Sequence, residues 1–96
     1  MEYRNFTLVR TLVLEAGGTA QEACLICGPI VCVGERKWAC HAEFSPIQDE
    51  VNIYGDDPLA ALMNCLSFIS QLIVATEDTG VEIYWQSKGD RGGFSL

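Results

Sequence analysis

The segment Asp57-Pro58-Leu59-Ala60-Ala61-Leu62 carries the strongest local structural signal in the chain. Aspartate is favoured at the N-cap of a helix, and proline is tolerated at the first helical position because an N–H there would have no intrahelical partner. We therefore expect a helix to begin at Pro58. The apolar residues that follow recur at helical spacing, which predicts one broad face packed on a sheet. That predicted face contains Leu59, Leu62, Met63, Leu66, Ile69 and Ile73.

The opposite stripe of the same helix contains no charged side chain. It consists of Ala60, Asn64, Ser67 and Gln71. A solvated helix surface usually carries charged residues, so a stripe without them indicates that something covers it. Either a second copy of the chain or the C-terminal tail would cover this stripe. The stripe is therefore a candidate self-association surface, and a homodimer is one expected assembly.

Strand signals lie on both sides of the helix. Apolar or alternating segments precede it at 6–15, 21–33, 38–44 and 51–54, and one follows it at 81–85. Residues Gly17-Gly18 suit a hairpin turn, and Gly28-Pro29 predicts a bulge or an edge in the second strand. In the third strand the core side is Trp38, Cys40, Ala42 and Phe44. We predict an α+β fold with an antiparallel sheet of about five strands, in the order ββββαβ, packed on one long helix. Residues 1–96 are expected to form a single domain.

Composition predicts a globular protein. Hydrophobic residues make up 49% and charged residues 20% of the chain, which is ordinary for a folded domain. The N-terminal stretch lacks the pattern of a signal peptide, and residues 58–76 read as too polar and slightly too short to span a bilayer. We expect a cytoplasmic protein that does not engage a membrane.

Negative charge is concentrated in one part of the sequence. The net charge is -7, and no Lys or Arg stands between Trp38 and Ser87. This disfavours binding to nucleic acid or to an anionic membrane, because both require a basic face. The acids of that stretch are a candidate surface for a basic protein partner, with solubility as the alternative explanation. They are Glu43, Asp49, Glu50, Asp56, Asp57, Glu77, Asp78 and Glu82.

Several motifs together resemble those of a known family. They are Trp38-x-Cys40, then Tyr54-Gly55-x-Asp57-x-Leu59-x-Ala61-Leu62, then Ile83-x-Trp85 and the closing Gly89-Asp90-x-Gly92-Gly93-Phe94. This arrangement resembles a family of small bacterial proteins classed as a domain of unknown function, over most of the chain from Arg10 onward. The chain departs from the family pattern at Ala60, where glutamine is expected, and at four cysteines: Cys24, Cys27, Cys32 and Cys65. The resemblance implies a fold and no reaction.

The cysteines are predicted to be buried thiols. Cys24-Leu25-Ile26-Cys27 has the spacing of redox and zinc sites, but residues three apart on a strand point to opposite faces. We therefore predict no metal ligand and no cofactor, and leave open whether Cys24 and Cys27 have a redox or metal role. Cys40 and His41 are neighbours on a strand, so they are not expected to act as a nucleophile and its base.

Two further motifs have structural explanations. Asp56-Asp57 resembles a pair of catalytic or metal-binding carboxylates, but helix capping accounts for both. Gly89-Asp90-Arg91-Gly92-Gly93-Phe94 is rich in glycine, yet no helix follows it to complete a phosphate cradle. We interpret this segment as a flexible tail with Phe94 docked on apolar surface.

These observations favour a non-catalytic protein-interaction module, for example one of immunity or antitoxin type that binds a basic partner. One alternative is a ligand-binding or enzymatic domain with a pocket between sheet and helix. Its lining would be Trp38, Tyr54, Trp85, His41, Asp56 and Asp57. The other alternative is a structural homo-oligomer.

Overall fold

The computed structural model describes residues 7–90. The fold is α+β, as predicted: five strands form one antiparallel sheet, and one helix packs against it. The elements in chain order are β1 Leu8–Ala16, β2 Thr19–Gly34, β3 Lys37–Ser45, β4 Gln48–Gly55, α1 Pro58–Asp78 and β5 Glu82–Tyr84. The predicted start of the first strand at Phe6 and the predicted docking of Phe94 lie outside the described residues.

The helix connects the two edges of the sheet. The strand order is β4-β3-β2-β1-β5, so the first four strands form a meander and β4 and β5 are the edges. After β4 the chain enters α1, which packs on β4, β3 and β2 and reaches β5 at its far end. The helix therefore covers one face of the sheet, called here the inner face. Within residues 7–90 no helix lies on the opposite, outer face.

A bulge in β2 keeps the inner face apolar along this long strand. Cys27 pairs with Ala42 and Ile30 pairs with Cys40, so β2 has one more residue than β3 in this interval. The extra residue falls at Gly28-Pro29, where a bulge was predicted. Gly28 has a φ of 106°, a left-handed value that favours glycine. Because side chains alternate along a strand, the additional residue returns Ile30 to the same face as Cys27.

The inner face of the sheet and one side of α1 enclose the core. The third-strand prediction is confirmed for Cys40, Ala42 and Phe44, which are fully buried, and Trp38 packs against them. The buried residues of the core are Leu12, Leu14, Ala23, Leu25, Cys27, Ile30, Cys40, Ala42, Phe44, Ala61, Cys65, Ile69, Ile73 and Ile83.

The helix buries a face that matches the predicted one only in part: Ile69 and Ile73 are buried and Leu62 packs against the core, as predicted. Its buried residues are Ala61, Cys65, Ile69, Ile73 and Thr76, whereas Leu59, Met63 and Leu66 are exposed. The prediction of these three as core residues was therefore wrong. Apolar residues occur all around α1, so their periodicity alone does not single out one face. Small residues in the first two turns, Ala61 and Cys65, allow the helix to lie close to the sheet.

Gly55 is the point of closest approach between α1 and β4. A Cβ atom at this position would collide with the backbone of Ala60 and Ala61. Two residues later Asp57 begins the helix, and its Oδ1 accepts a hydrogen bond of 2.7 Å from the N–H of Ala60. The end of β4 and the first helical turn are thus in direct backbone contact.

Replacing Gly55 by alanine tests this contact. Because the new methyl group would meet backbone atoms that have no rotamer to change, we expect the free energy of unfolding to fall by about 2 to 3 kcal/mol. The matched control is Gly34→Ala, where the added Cβ would make only an ordinary contact of 3.7 Å with Lys37. Urea denaturation followed by tryptophan fluorescence measures both. Equal effects of the two substitutions would contradict the assigned role of Gly55.

Candidate functional site

Three cysteines from three different elements meet inside the core. Cys27 lies on β2, Cys40 on β3 and Cys65 on α1, and all are buried. The Sγ of Cys27 is 3.7 Å from that of Cys40 and 3.4 Å from that of Cys65. All three sulfur atoms lie within 4.8 Å of one another. We call this group the three-thiol cluster.

Register and helix position explain why these sulfurs converge. Cys27 pairs with Ala42, and Cys40 is two residues from Ala42 on the same face, which makes Cys27 and Cys40 diagonal neighbours. Cys65 lies one helical turn after Ala61, on the side of α1 that contacts the sheet. The backbone oxygen of His41 accepts weak hydrogen bonds from both Cys40 and Cys65, each at 3.7 Å.

Hydrogen bonding and burial separate the pKa values of these thiols. The hydrogen bond with Cys65 lowers the pKa of Cys27 to about 7, and the hydrogen bond with Cys40 acts in the same direction. Burial opposes both. Burial raises the pKa of Cys40 to about 11. Hydrogen bonding to Cys27, together with burial, raises the pKa of Cys65 far above its ordinary range. These contacts therefore favour loss of a proton from Cys27 over loss from Cys40 or Cys65.

The CxxC pair itself is not a site. Cys24 is half-buried and Cys27 is in the core, so these two cysteines point to opposite faces, as predicted. Cys32 is exposed and donates to the backbone oxygen of Gly34 at 3.4 Å. The prediction of buried thiols is confirmed for Cys27, Cys40 and Cys65 and is wrong for Cys32. Sequence reasoning also missed the convergence of the three buried cysteines. The alternation in β3 placed Cys40 on the core side, but the pairing that sets Cys27 beside it was unknown.

His41 lies on the outer face, close to two carboxylates. Its Nε2 is 3.9 Å from Glu43 and 3.8 Å from Glu50. The His41 side chain is 23% exposed. Cys40 points into the core, so the two neighbours do face opposite ways.

The two aspartates before the helix have separate structural contacts. Asp57 is the N-cap, which confirms the capping prediction. Asp56 lies 3.9 Å from Arg36 in an ion pair whose side chains are about four-fifths exposed. Such exposed pairs contribute little to stability.

The eight acids of the predicted interaction surface lie on several different elements. Glu43 and Glu50 are near His41, and Asp49 is exposed at the start of β4. Glu82, on the opposite edge strand, is 3.7 Å from Lys88. The remaining acids lie at the two ends of α1: Asp56 and Asp57 before its first turn, Glu77 and Asp78 in its last turn.

The residues proposed to line a pocket between sheet and helix are distributed over both sheet faces. Trp38 packs against the core on the inner face, while Tyr54 pairs with Ala39 on the outer face. Trp85 follows β5, where Arg10 lies over its ring at 5.2 Å. A shallow, open depression of about 580 Å³ is present instead beside the start of α1. Its lining includes Arg36, Lys37, Tyr54, Asp56 and Asn64.

The outward side of α1 is apolar as well as uncharged. Exposure reaches 64% for Leu59, 60% for Met63, 47% for Leu66 and 43% for Val74. The predicted stripe runs alongside them: Asn64, Ser67 and Gln71 are exposed and Ala60 is half-buried. We call this combined surface the helix back. It consists of Leu59, Ala60, Met63, Asn64, Leu66, Ser67, Ser70, Gln71 and Val74.

The helix is longer than predicted. It has 21 residues, and by length and composition alone it is long and apolar enough to cross a membrane. The sequence-based reading of this stretch as slightly too short for a span was therefore wrong. In the fold, the side of α1 opposite the helix back packs on the sheet.

Comparison with known proteins assigns no family. No protein-family model matches the chain, and neither a curated protein nor a solved structure matches it. The resemblance to the bacterial family of unknown function therefore stays an expectation, and functional inference rests on the geometry alone.

The N-cap offers a direct test of the role assigned to Asp57. Asp57→Ala removes the acceptor for the N–H of Ala60, and we expect the free energy of unfolding to fall by about 1 kcal/mol. Asp56→Ala is the matched control, because it removes a carboxylate one residue away that forms an exposed ion pair with Arg36. Thermal and urea denaturation of the two variants give the comparison. A larger loss for Asp56→Ala than for Asp57→Ala would refute the assignment.

Proposed function

We propose that the chain is a non-catalytic protein-interaction module that pairs with a second copy of itself through the helix back. The observation that carries the proposal is the exposure of large apolar side chains on a helix that has no charged residue from Pro58 to Thr76. Contiguous exposed apolar surface marks interaction sites in soluble proteins. The side chains considered for catalysis have structural contacts: Asp57 caps α1, and Cys40 is enclosed in the core.

Charge favours a second copy as the occupant. Two molecules of net charge -7 repel each other unless the apposed surfaces are uncharged, and the helix back meets this condition. In an antiparallel, two-fold arrangement, Glu77 and Asp78 of one copy approach the start of the other copy's α1. That end of the helix carries Asp56 and Asp57, and their charge is offset by the partial positive charge of the helix N-terminus and by the exposed Arg36 beside Asp56. A parallel arrangement would bring the acidic helix ends of both copies together.

The side-chain pattern suits close helix packing. Leu59, Met63, Leu66 and Ser70 follow each other at intervals of four, three and four residues, the spacing of a helix–helix seam. Small side chains in the helix back, Ala60, Ser67 and Ser70, permit a short distance between the helix axes. A helix of this length spans about 31 Å. Two such surfaces would bury on the order of 1,000 Å² of accessible surface in total, which is near the lower limit of the area buried in a specific interface.

Replacing Ser67 by arginine tests the pairing. We expect the wild-type protein to be a dimer at tens of micromolar and Ser67→Arg to be a monomer, because an unpaired charge buried at an interface costs several kcal/mol. Gln21→Arg is the matched control, since it makes the same change in charge at an exposed position on β2. Light scattering coupled to size exclusion measures the mass. A monomeric wild type would overturn the proposal, and binding of that monomer to neutral lipid vesicles would assign the helix back to a membrane instead.

Cysteine cross-linking tests the antiparallel orientation. In a Cys32→Ser background, which removes the exposed native thiol, Ser67→Cys lies near the middle of the helix back and close to the expected two-fold axis. We expect oxidation to join two Ser67→Cys chains, and Ala60→Cys chains to remain separate. Cross-linking at position 60 with none at position 67 would refute the antiparallel arrangement.

Binding of a basic partner, of immunity or antitoxin type or otherwise, stays a prediction. Two of its candidate residues, Asp49 and Glu50, are exposed at the start of β4 and do not lie on the helix back. Reversal of both to lysine should slow association with such a partner and weaken its salt dependence, while circular dichroism stays unchanged. An association rate indifferent to salt and to this double substitution would remove the electrostatic hypothesis.

A further inference from the structure

The three-thiol cluster has no part in the pairing of two helix backs, since Cys27, Cys40 and Cys65 are buried inside one chain. We propose that this cluster is a binding site for a soft, monovalent metal ion, Cu(I). The inference goes beyond the proposed function and does not depend on it. It departs from the sequence-based expectation of no metal ligand, and the reason is the convergence of three sulfurs that the sequence pattern did not reveal.

The spacing of the sulfurs suits one shared ion. For metal–sulfur bonds of about 2.3 Å, sulfur atoms lie about 3.8 Å apart at tetrahedral angles and about 4.0 Å apart in a planar trigonal site. The observed separations are 3.7 Å for Cys27 and Cys40 and 3.4 Å for Cys27 and Cys65. The third separation is at most 4.8 Å. Side-chain shifts of a few tenths of an ångström would therefore place all three sulfurs around one ion.

Ligand number and type favour copper over zinc. Soft thiolates select Cu(I), zinc and iron–sulfur clusters, whereas structural zinc almost always requires four ligands. Among the described residues, the group that contains these sulfurs has three members and no imidazole or carboxylate. His41 contributes only its backbone oxygen, because its side chain lies on the outer face. Three sulfurs in an apolar enclosure match the low coordination number of Cu(I).

Proton loss balances the charge of the bound ion. When Cu(I) binds two thiolates and one thiol, it displaces two protons and leaves a site of net charge −1. Loss of the third proton would give −2, which is costly in an apolar core. Cys27 is within hydrogen-bonding distance of both other thiols, at 3.7 Å from Cys40 and 3.4 Å from Cys65, so it lies at the centre of the proposed ligand set. Release of about two protons per copper is therefore part of the expected reaction.

Binding is measured on the full chain, refolded from urea under anaerobic, reducing conditions with Cu(I) and a competing chromophoric chelator. Refolding with the ion present allows it to reach a site that is closed in the folded state. We expect one copper per chain after gel filtration, and an increase in melting temperature over the copper-free protein. X-ray absorption of the loaded wild type should show only sulfur in the first coordination shell.

Cysteine variants separate the cluster from ordinary thiol binding. Cys27→Ser and Cys65→Ser should each weaken copper binding at least about 100-fold. The controls are Cys24→Ser and Cys32→Ser, which remove the two thiols outside the cluster and should keep one copper per chain. Loss of binding in either control would overturn the proposal. Nitrogen or oxygen ligands in the X-ray absorption spectrum would also overturn the proposal, and so would a wild-type chain that binds no copper. Both measurements are made on the wild type, so they do not depend on whether a cluster variant folds.

Discussion

The backbone contact between Gly55 and the first turn of α1 is the constraint on which the rest of the molecule depends. Because a Cβ atom at position 55 would collide with the backbone of Ala60 and Ala61, α1 can begin this close to β4 only if residue 55 is glycine. The N-cap at Asp57 then fixes where the first turn starts. Together these two contacts set the rotation of α1 about its axis, and the helix has enough apolar residues on every side to accept that rotation.

That rotation produces both candidate sites at once. It turns the small residues Ala61 and Cys65 toward the sheet, which brings the Cys65 sulfur against those of Cys27 and Cys40. It also turns Leu59 and Met63 outward, although either would bury more apolar area than Ala61 does. A helix rotated by about one residue would bury these larger side chains and separate the three thiols. The exposed apolar surface and the three-thiol cluster are thus two consequences of one packing choice.

The two sites differ in how accessible they are to a binding partner. The helix back is an uncharged, largely apolar surface of α1, so it suits a partner surface that is also apolar and uncharged. The three-thiol cluster is enclosed, so anything it binds would have to enter when the chain folds or opens locally. A bound ion would connect β2, β3 and α1, the elements that hold the helix back in place. Ion binding and helix pairing would therefore stabilise the same arrangement of helix and sheet.

Local sequence determined much of the fold. The Asp57-Pro58 pair marks the start of α1, the alternation from Trp38 to Phe44 defines the core side of β3, and Gly28-Pro29 marks the bulge in β2. These features follow from short-range effects, namely capping, side-chain alternation and the backbone freedom of glycine. The sequence also identified the uncharged stripe of Ala60, Asn64, Ser67 and Gln71. Only the tertiary structure decided which helix face is buried, because an apolar periodicity on all sides is compatible with several rotations. It alone decided that Cys27, Cys40 and Cys65 meet, since strand register and helix placement depend on contacts between residues far apart in the chain.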